Sequence, residues 1–123
     1  MDDGQGSNLA QGPNFDVSVV SADGETIVAV RGEIDLSSAE ELWSAVEQAL
    51  NMSSRLVIDM TETTFMDSTA LAVLARAYRE LGQVPEAVVV RSPSPRAREL
   101  LTICGLEQLI TIQEGREGNP APA

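Results

Sequence analysis

The spacing of hydrophobic positions switches repeatedly between a period of two and a period near 3.6. Phe15, Val17 and Val19 alternate with Asp16 and Ser18, which predicts a half-buried strand. Ala22-Asp23-Gly24 is turn chemistry, and Thr26 to Val30 reads as a second strand, so the pair predicts a hairpin that ends at Gly32. Ser37 with Glu40 three residues on has the form of a capping box, and Leu42, Val46, Ala49 and Leu50 follow at helical spacing. The run Arg55 to Met60, with Leu56, Val57 and Ile58, suits a buried strand, and Thr61 to Thr64 reads as a polar loop. Leu71, Leu74, Ala75, Tyr78 and Leu81 recur on one helical face, closed by Gly82. Ala87 to Val90 is another strand. Ser94, Pro95 and Gly105 mark the cap, first turn and exit of a third helix, and Leu109 to Ile112 is a last short strand or turn.

Strands separated by crossover helices require parallel pairing, while the hairpin adds antiparallel pairing. The expected fold is α/β: a single domain with a mixed sheet of four to five strands and three or more packed helices. Residues 1–13 read as a disordered lead, 14–112 as the domain, and 113–123 as a disordered tail rich in Gly and Pro.

Composition narrows the chemistry. The chain has 123 residues, 43% of them hydrophobic but only 3% aromatic, so the core must be built from Val, Ile, Leu and Ala. A net charge of −11 argues against nucleic acid and against an anionic membrane surface. The sequence contains no histidine, which removes Ser-His-Asp and Cys-His catalysis and all histidine-ligated metal sites. It contains no lysine and no Gly-rich Walker loop to grip a nucleotide. Neither a cofactor nor a metal is expected, and an enzyme such as a nucleotide hydrolase is disfavoured. The single cysteine, Cys104, lies in an apolar run and reads as a small buried hydrophobe. Met1 is followed by Asp2, Asp3 and Gly4, with no signal-peptide pattern and no apolar run of membrane-spanning length, so a cytoplasmic location is expected.

The informative stretch is Phe65-Met66-Asp67-Ser68-Thr69-Ala70-Leu71, between a buried strand and the strongest helix. With Asp67 as N-cap, Met66 and Leu71 take the two positions of a hydrophobic staple, and Ser68 becomes the first helical residue. Its hydroxyl is then not spent on capping and is more available than that of Thr69. Alternatively Ser68 itself caps the helix and does nothing more.

Residues 15–112 resemble the anti-sigma factor antagonist family with its STAS domain. Gly32-Glu33-Ile34-Asp35 resembles the family's Gly-Glu-hydrophobic-Asp motif. Phe65 to Leu71 resembles its Phe-Met-Asp-Ser-Ser/Thr-Gly-Leu motif, with Ala70 in place of the usual glycine. The resemblance implies a non-enzymatic regulator that captures an anti-sigma factor and is released when that partner, also a serine kinase, phosphorylates Ser68. It also implies a PP2C-type phosphatase as a second partner, and a partner surface built from Glu33, Asp35, Ser37, Met66, Asp67, Ser68 and Thr69. A related alternative is a STAS scaffold or regulatory subunit in a stress-signalling or transporter complex. Asp35 also suits a strand-end turn or supplementary cap, and Met66 suits either the staple or an apolar anchor. Arg91, Arg96 and Arg98 form a basic cluster read as solvated, and Trp43 reads as core or half-exposed.

Overall fold

The chain builds a six-stranded sheet whose spatial order is also its sequence order. The computed structural model describes the backbone of residues 8–12 and the whole of residues 14–114. The strands are β1 (Asn8–Gly12), β2 (Phe15–Ala22), β3 (Glu25–Ile34), β4 (Leu56–Met66), β5 (Val88–Arg91) and β6 (Thr111–Gln113). The helices are α1 (Ala39–Leu50), α2 (Ser68–Glu80) and α3 (Pro95–Ile103), one in each connection from β3 to β6. Pairing is antiparallel through β1, β2 and β3, and parallel from β3 to β6. The mixed sheet with three helices is as the sequence implied, with one strand more than the expected four to five.

The extra strand is β1, inside the stretch expected to be a floppy lead, and it pairs with β2 along Ala10 to Gly12. At the other end Gln113 closes β6 and Glu114 pairs with Arg98, so the ordered domain outlasts residue 112. Residues 1–7, 13 and 115–123 lie outside the described residues.

Local chemistry accounts for most boundaries. The two-residue hairpin turn puts Asp23 and Gly24 at φ 54° and 82°, the left-handed values that Asp-Gly tolerates. Ser94 caps α3 by accepting from the Ala97 N–H at 3.1 Å, with Pro95 at the first helical position. Two expectations fail because tertiary pairing overrides local pattern. Gly32 does not end β3, and Thr61–Thr64 is not a loop: both segments continue as parallel partners, Gly32 opposite Thr63 and Glu33 opposite Phe65. Thr63 is buried and donates to the Val30 carbonyl at 3.0 Å, which satisfies its hydroxyl inside the sheet.

One core lies between the helices and one face of the sheet. It joins Val17, Val28, Val30, Leu56, Ile58, Val88 and Val90 to Leu42, Val46, Leu74, Ala77 and Leu101. Each such Val or Leu contributes about 1.5–3 kcal/mol on leaving water. On α2 the buried residues are Ala70, Val73, Leu74 and Ala77, whereas Leu71, Ala75, Tyr78 and Leu81 are only partly buried. The face toward the sheet is thus rotated from the expected stripe, with small side chains against the strands. Cys104 is exposed at the end of α3, contrary to the expected burial. The basic cluster dissolves into separate ion pairs: Arg91 with Glu25, Arg96 with Glu99, and Arg98 with Glu107.

Candidate functional site

Parallel pairing brings the two motif segments to the same end of the sheet. Ile34 is the partner of Met66, and the Asp67 N–H donates to the Ile34 carbonyl at 3.2 Å. The β3–α1 loop and the start of α2 therefore leave the sheet side by side.

Asp67 is the N-cap of α2, in extended conformation, in line with the first of the two readings of this segment. Its Oδ1 accepts the Thr69 N–H at 2.9 Å and the Thr69 hydroxyl at 2.5 Å. Ser68 is the first helical residue and is exposed, and its hydroxyl makes no hydrogen bond among the described residues. The reading in which Ser68 caps the helix is thereby overturned. Thr69 is present at the site, but its hydroxyl is occupied.

The β3–α1 loop repeats this arrangement. Asp35 Oδ1 accepts the Ser37 N–H at 3.0 Å and the Ser37 hydroxyl at 2.7 Å. Hydrogen bonding from the Ser37 hydroxyl, ahead of the backbone N–H groups of Ser37 and Ser38, holds the Asp35 carboxyl below the usual aspartate range, against a smaller opposing effect of desolvation. Ser37 is consequently tied to Asp35 and is not the cap of α1. That position belongs to Ser38, which makes no side-chain capping bond, so the expected Ser37–Glu40 capping box does not form. Ser38 is buried and fastens the loop instead: its Oγ accepts the Asp35 N–H at 3.0 Å and donates to the Glu33 carbonyl at 3.1 Å. Sequence reasoning missed Ser38. A second serine directly after Ser37 was the available signal.

Gly32 sets the approach to this loop. Its φ is +91°, and a Cβ there would stand 2.0 Å from the Asn14 carbonyl oxygen. The Glu33 N–H donates to that same oxygen at 2.6 Å, so only glycine permits the bond.

Met66 is not at the surface. It is 4% exposed and belongs to the core, which removes it as a contact residue. Glu33 and Asp35 are half-buried, and Ser37 is exposed. Glu62 is engaged elsewhere, with Arg31 at 2.6 Å. It lies six strand residues before Ser68, roughly 20 Å at ~3.3 Å per residue, too far to act on a charge there. Among the described residues no group of three or more Cys, Asp or Glu side chains converges as metal ligands would. None of the described helices is long and apolar enough to cross a membrane.

The family model described as "Mlab, STAS domain" matches residues 17–111, spanning β2 to β6 and both motif segments. The chain belongs to the STAS domain family. This STAS domain is 33% identical over 102 residues to an anti-sigma-B factor antagonist of Listeria monocytogenes, covering 81% of the chain and 90% of the relative. Among solved structures it resembles an anti-sigma factor antagonist of Mycobacterium paratuberculosis at 28% identity, with a TM-score of 0.76 and 89% and 94% of the two chains covered. The Bacillus protein SpoIIAA in its phosphorylated form shares the fold at 20% identity, with a TM-score of 0.63 and 83% and 95% covered.

Proposed function

We propose that this STAS domain is an anti-sigma factor antagonist, a binding module without catalysis of its own. Unphosphorylated, it captures an anti-sigma factor with serine kinase activity. Phosphorylation of Ser68 by that partner releases it, and a PP2C-type phosphatase resets it. The observation that carries this reading is the Ser68 hydroxyl: exposed, unbonded to the described residues, and presented at the first position of a capped helix. The relatives named as anti-sigma factor antagonists supply the partner class.

A phosphoserine carries about −1.5 to −2 charges near neutral pH. The N-terminus of α2 receives it favourably, by roughly 0.3–1 kcal/mol and up to about 2 in good geometry. Asp67 opposes it: two unit charges ~5 Å apart at an effective dielectric of ~20 repel by roughly 3 kcal/mol. The helix terminus offsets only part of this repulsion, and water and salt around exposed Ser68 screen much of the rest, so the free domain stays folded. In a complex the same dianion must lose its water, and each ~1.4 kcal/mol of that penalty is tenfold in affinity.

Incubation with ATP and recombinant anti-sigma kinases, followed by mass mapping, is expected to place one phosphate on Ser68 and none on Ser68→Ala. Ser68→Ala is expected to retain partner capture, and Ser68→Asp to lose it by tenfold or more with an unchanged far-UV spectrum. Equal capture by both variants would refute the switch.

A further inference from the structure

Ser68 shares its end of the sheet with two large apolar side chains that the fold leaves in water. Leu36 is 79% exposed and Phe65 is 52% exposed. Their company follows from register: Phe65 is the partner of Glu33 in β3, and Leu36 lies two residues beyond Ile34, whose carbonyl receives the Asp67 N–H. The two Asx turns add a second cause. Asp35 ties down Ser37 and Asp67 ties down Thr69, so in each turn the middle residue is the one held outward. Those middle residues are Leu36 and Ser68. Leu36 is fixed in its exposed place by the same bonding pattern that presents the hydroxyl.

Exposure alone would single out nothing, since Val20, Met52, Val84, Ile103 and Leu109 are exposed as well. Leu36 and Phe65 differ in flanking the residue on which a charge would be written. They are also bordered by acid: Glu33 at the end of β3, Asp35 in the loop, and Glu40 and Glu41 in the first turn of α1. Interfaces concentrate their binding energy in a few apolar or aromatic side chains surrounded by a polar rim.

We propose that Leu36 and Phe65 are the anchors by which the partner holds this domain. They seat in an apolar cleft of the partner, whose cationic side chains face the acidic flank formed by the loop and α1. The proposal rests on the Ser68 switch and adds to it the residues that supply affinity. It also gives the switch a physical cause, because Ser68 stands beside the anchors in the part of the contact from which water leaves. A phosphate there loses hydration and meets no counter-ion, since the cations lie along the flank.

The test is titration calorimetry of the full unphosphorylated chain against the recombinant anti-sigma kinase that phosphorylates Ser68. Leu36→Ser and Phe65→Ser are each expected to raise Kd tenfold or more while leaving the unfolding temperature unchanged. Phe65→Leu should recover most of the loss, and Ile103→Ser and Val84→Ser should bind as the parent does. Raising NaCl from about 0.1 M to about 1 M should weaken the parent complex several-fold, as screening of a charged flank requires. Parent-like Kd values for both Leu36→Ser and Phe65→Ser would overturn the anchors and leave the switch standing, provided Ser68→Asp still loses affinity. Salt-independent binding would overturn the cationic flank. If no anti-sigma kinase binds or phosphorylates the chain, the switch and the anchors both fall.

Discussion

A single carboxylate oxygen on Asp67 takes both the backbone N–H and the hydroxyl of Thr69. Replacing Asp67 with alanine therefore frees two groups at once. The loss of the cap is expected to cost about 1 kcal/mol, and up to about 2, which thermal denaturation followed by circular dichroism would read as a drop of several degrees. The same variant opens the Thr69 hydroxyl, so phosphate appearing at Thr69 in mass mapping would show that Asp67 directs modification to Ser68. Asp35 carries the pH dependence of the neighbouring loop. Folding favours its charged form, because its carboxyl is held below the ordinary aspartate value. Its contribution is then complete above about pH 4 and disappears as pH falls through the lower folded value. Amide spectra of Ser37 and Ser38 are expected to stay constant from pH 8 to about 4 and to shift only below that. The local pattern offered Asp67 as the cap of α2 through the Met66–Leu71 staple, with Ser68 as the alternative that the structure rules out. It did not distinguish Ser37 from Ser38 at α1, because that choice depends on which serine Asp35 captures first.

At the level of elements, α1 and α2 are joined across their exposed sides by Arg76, whose guanidinium carbon lies 4.0 Å from the centroid of the Trp43 ring. Arg76→Ala is expected to cost about 0.5–1 kcal/mol. Trp43 is the chain's one tryptophan, so its emission reports the change directly. Helices with strong terminal chemistry, α2 and α3, were placed almost to the residue by Asp67, Gly82, Ser94, Pro95 and Gly105. Their orientation about the helix axis was less legible. The apolar stripe chosen for α2 favoured the large residues Leu71, Tyr78 and Leu81, while the sheet accepts Ala70 and Ala77, whose small side chains let the helix approach closely. Strand ends were read too short wherever a polar residue serves the sheet, as Thr63 does by bonding the Val30 carbonyl.

Across the whole molecule, the alternation of periods was enough to give a mixed sheet with crossover helices, because parallel pairing has few alternatives once the helices intervene. It did not give β1, whose residues Asn8 to Gly12 carry no apolar alternation and acquire a strand conformation only by pairing with β2. Nor did it give Leu36 and Phe65 as surface residues. Their meeting at one end of the sheet follows from the long-range register between β3 and β4, which no local window contains. The hairpin turn at Asp23-Gly24 lies at the start of β3, and the phosphoacceptor end lies beyond its last residue. A strand of 10 residues separates them, about 33 Å of pleated backbone. A fluorescent protein or affinity handle spliced into that turn would ride on the far pole of the domain, leaving the partner-facing pole unobstructed for single-molecule or pull-down work.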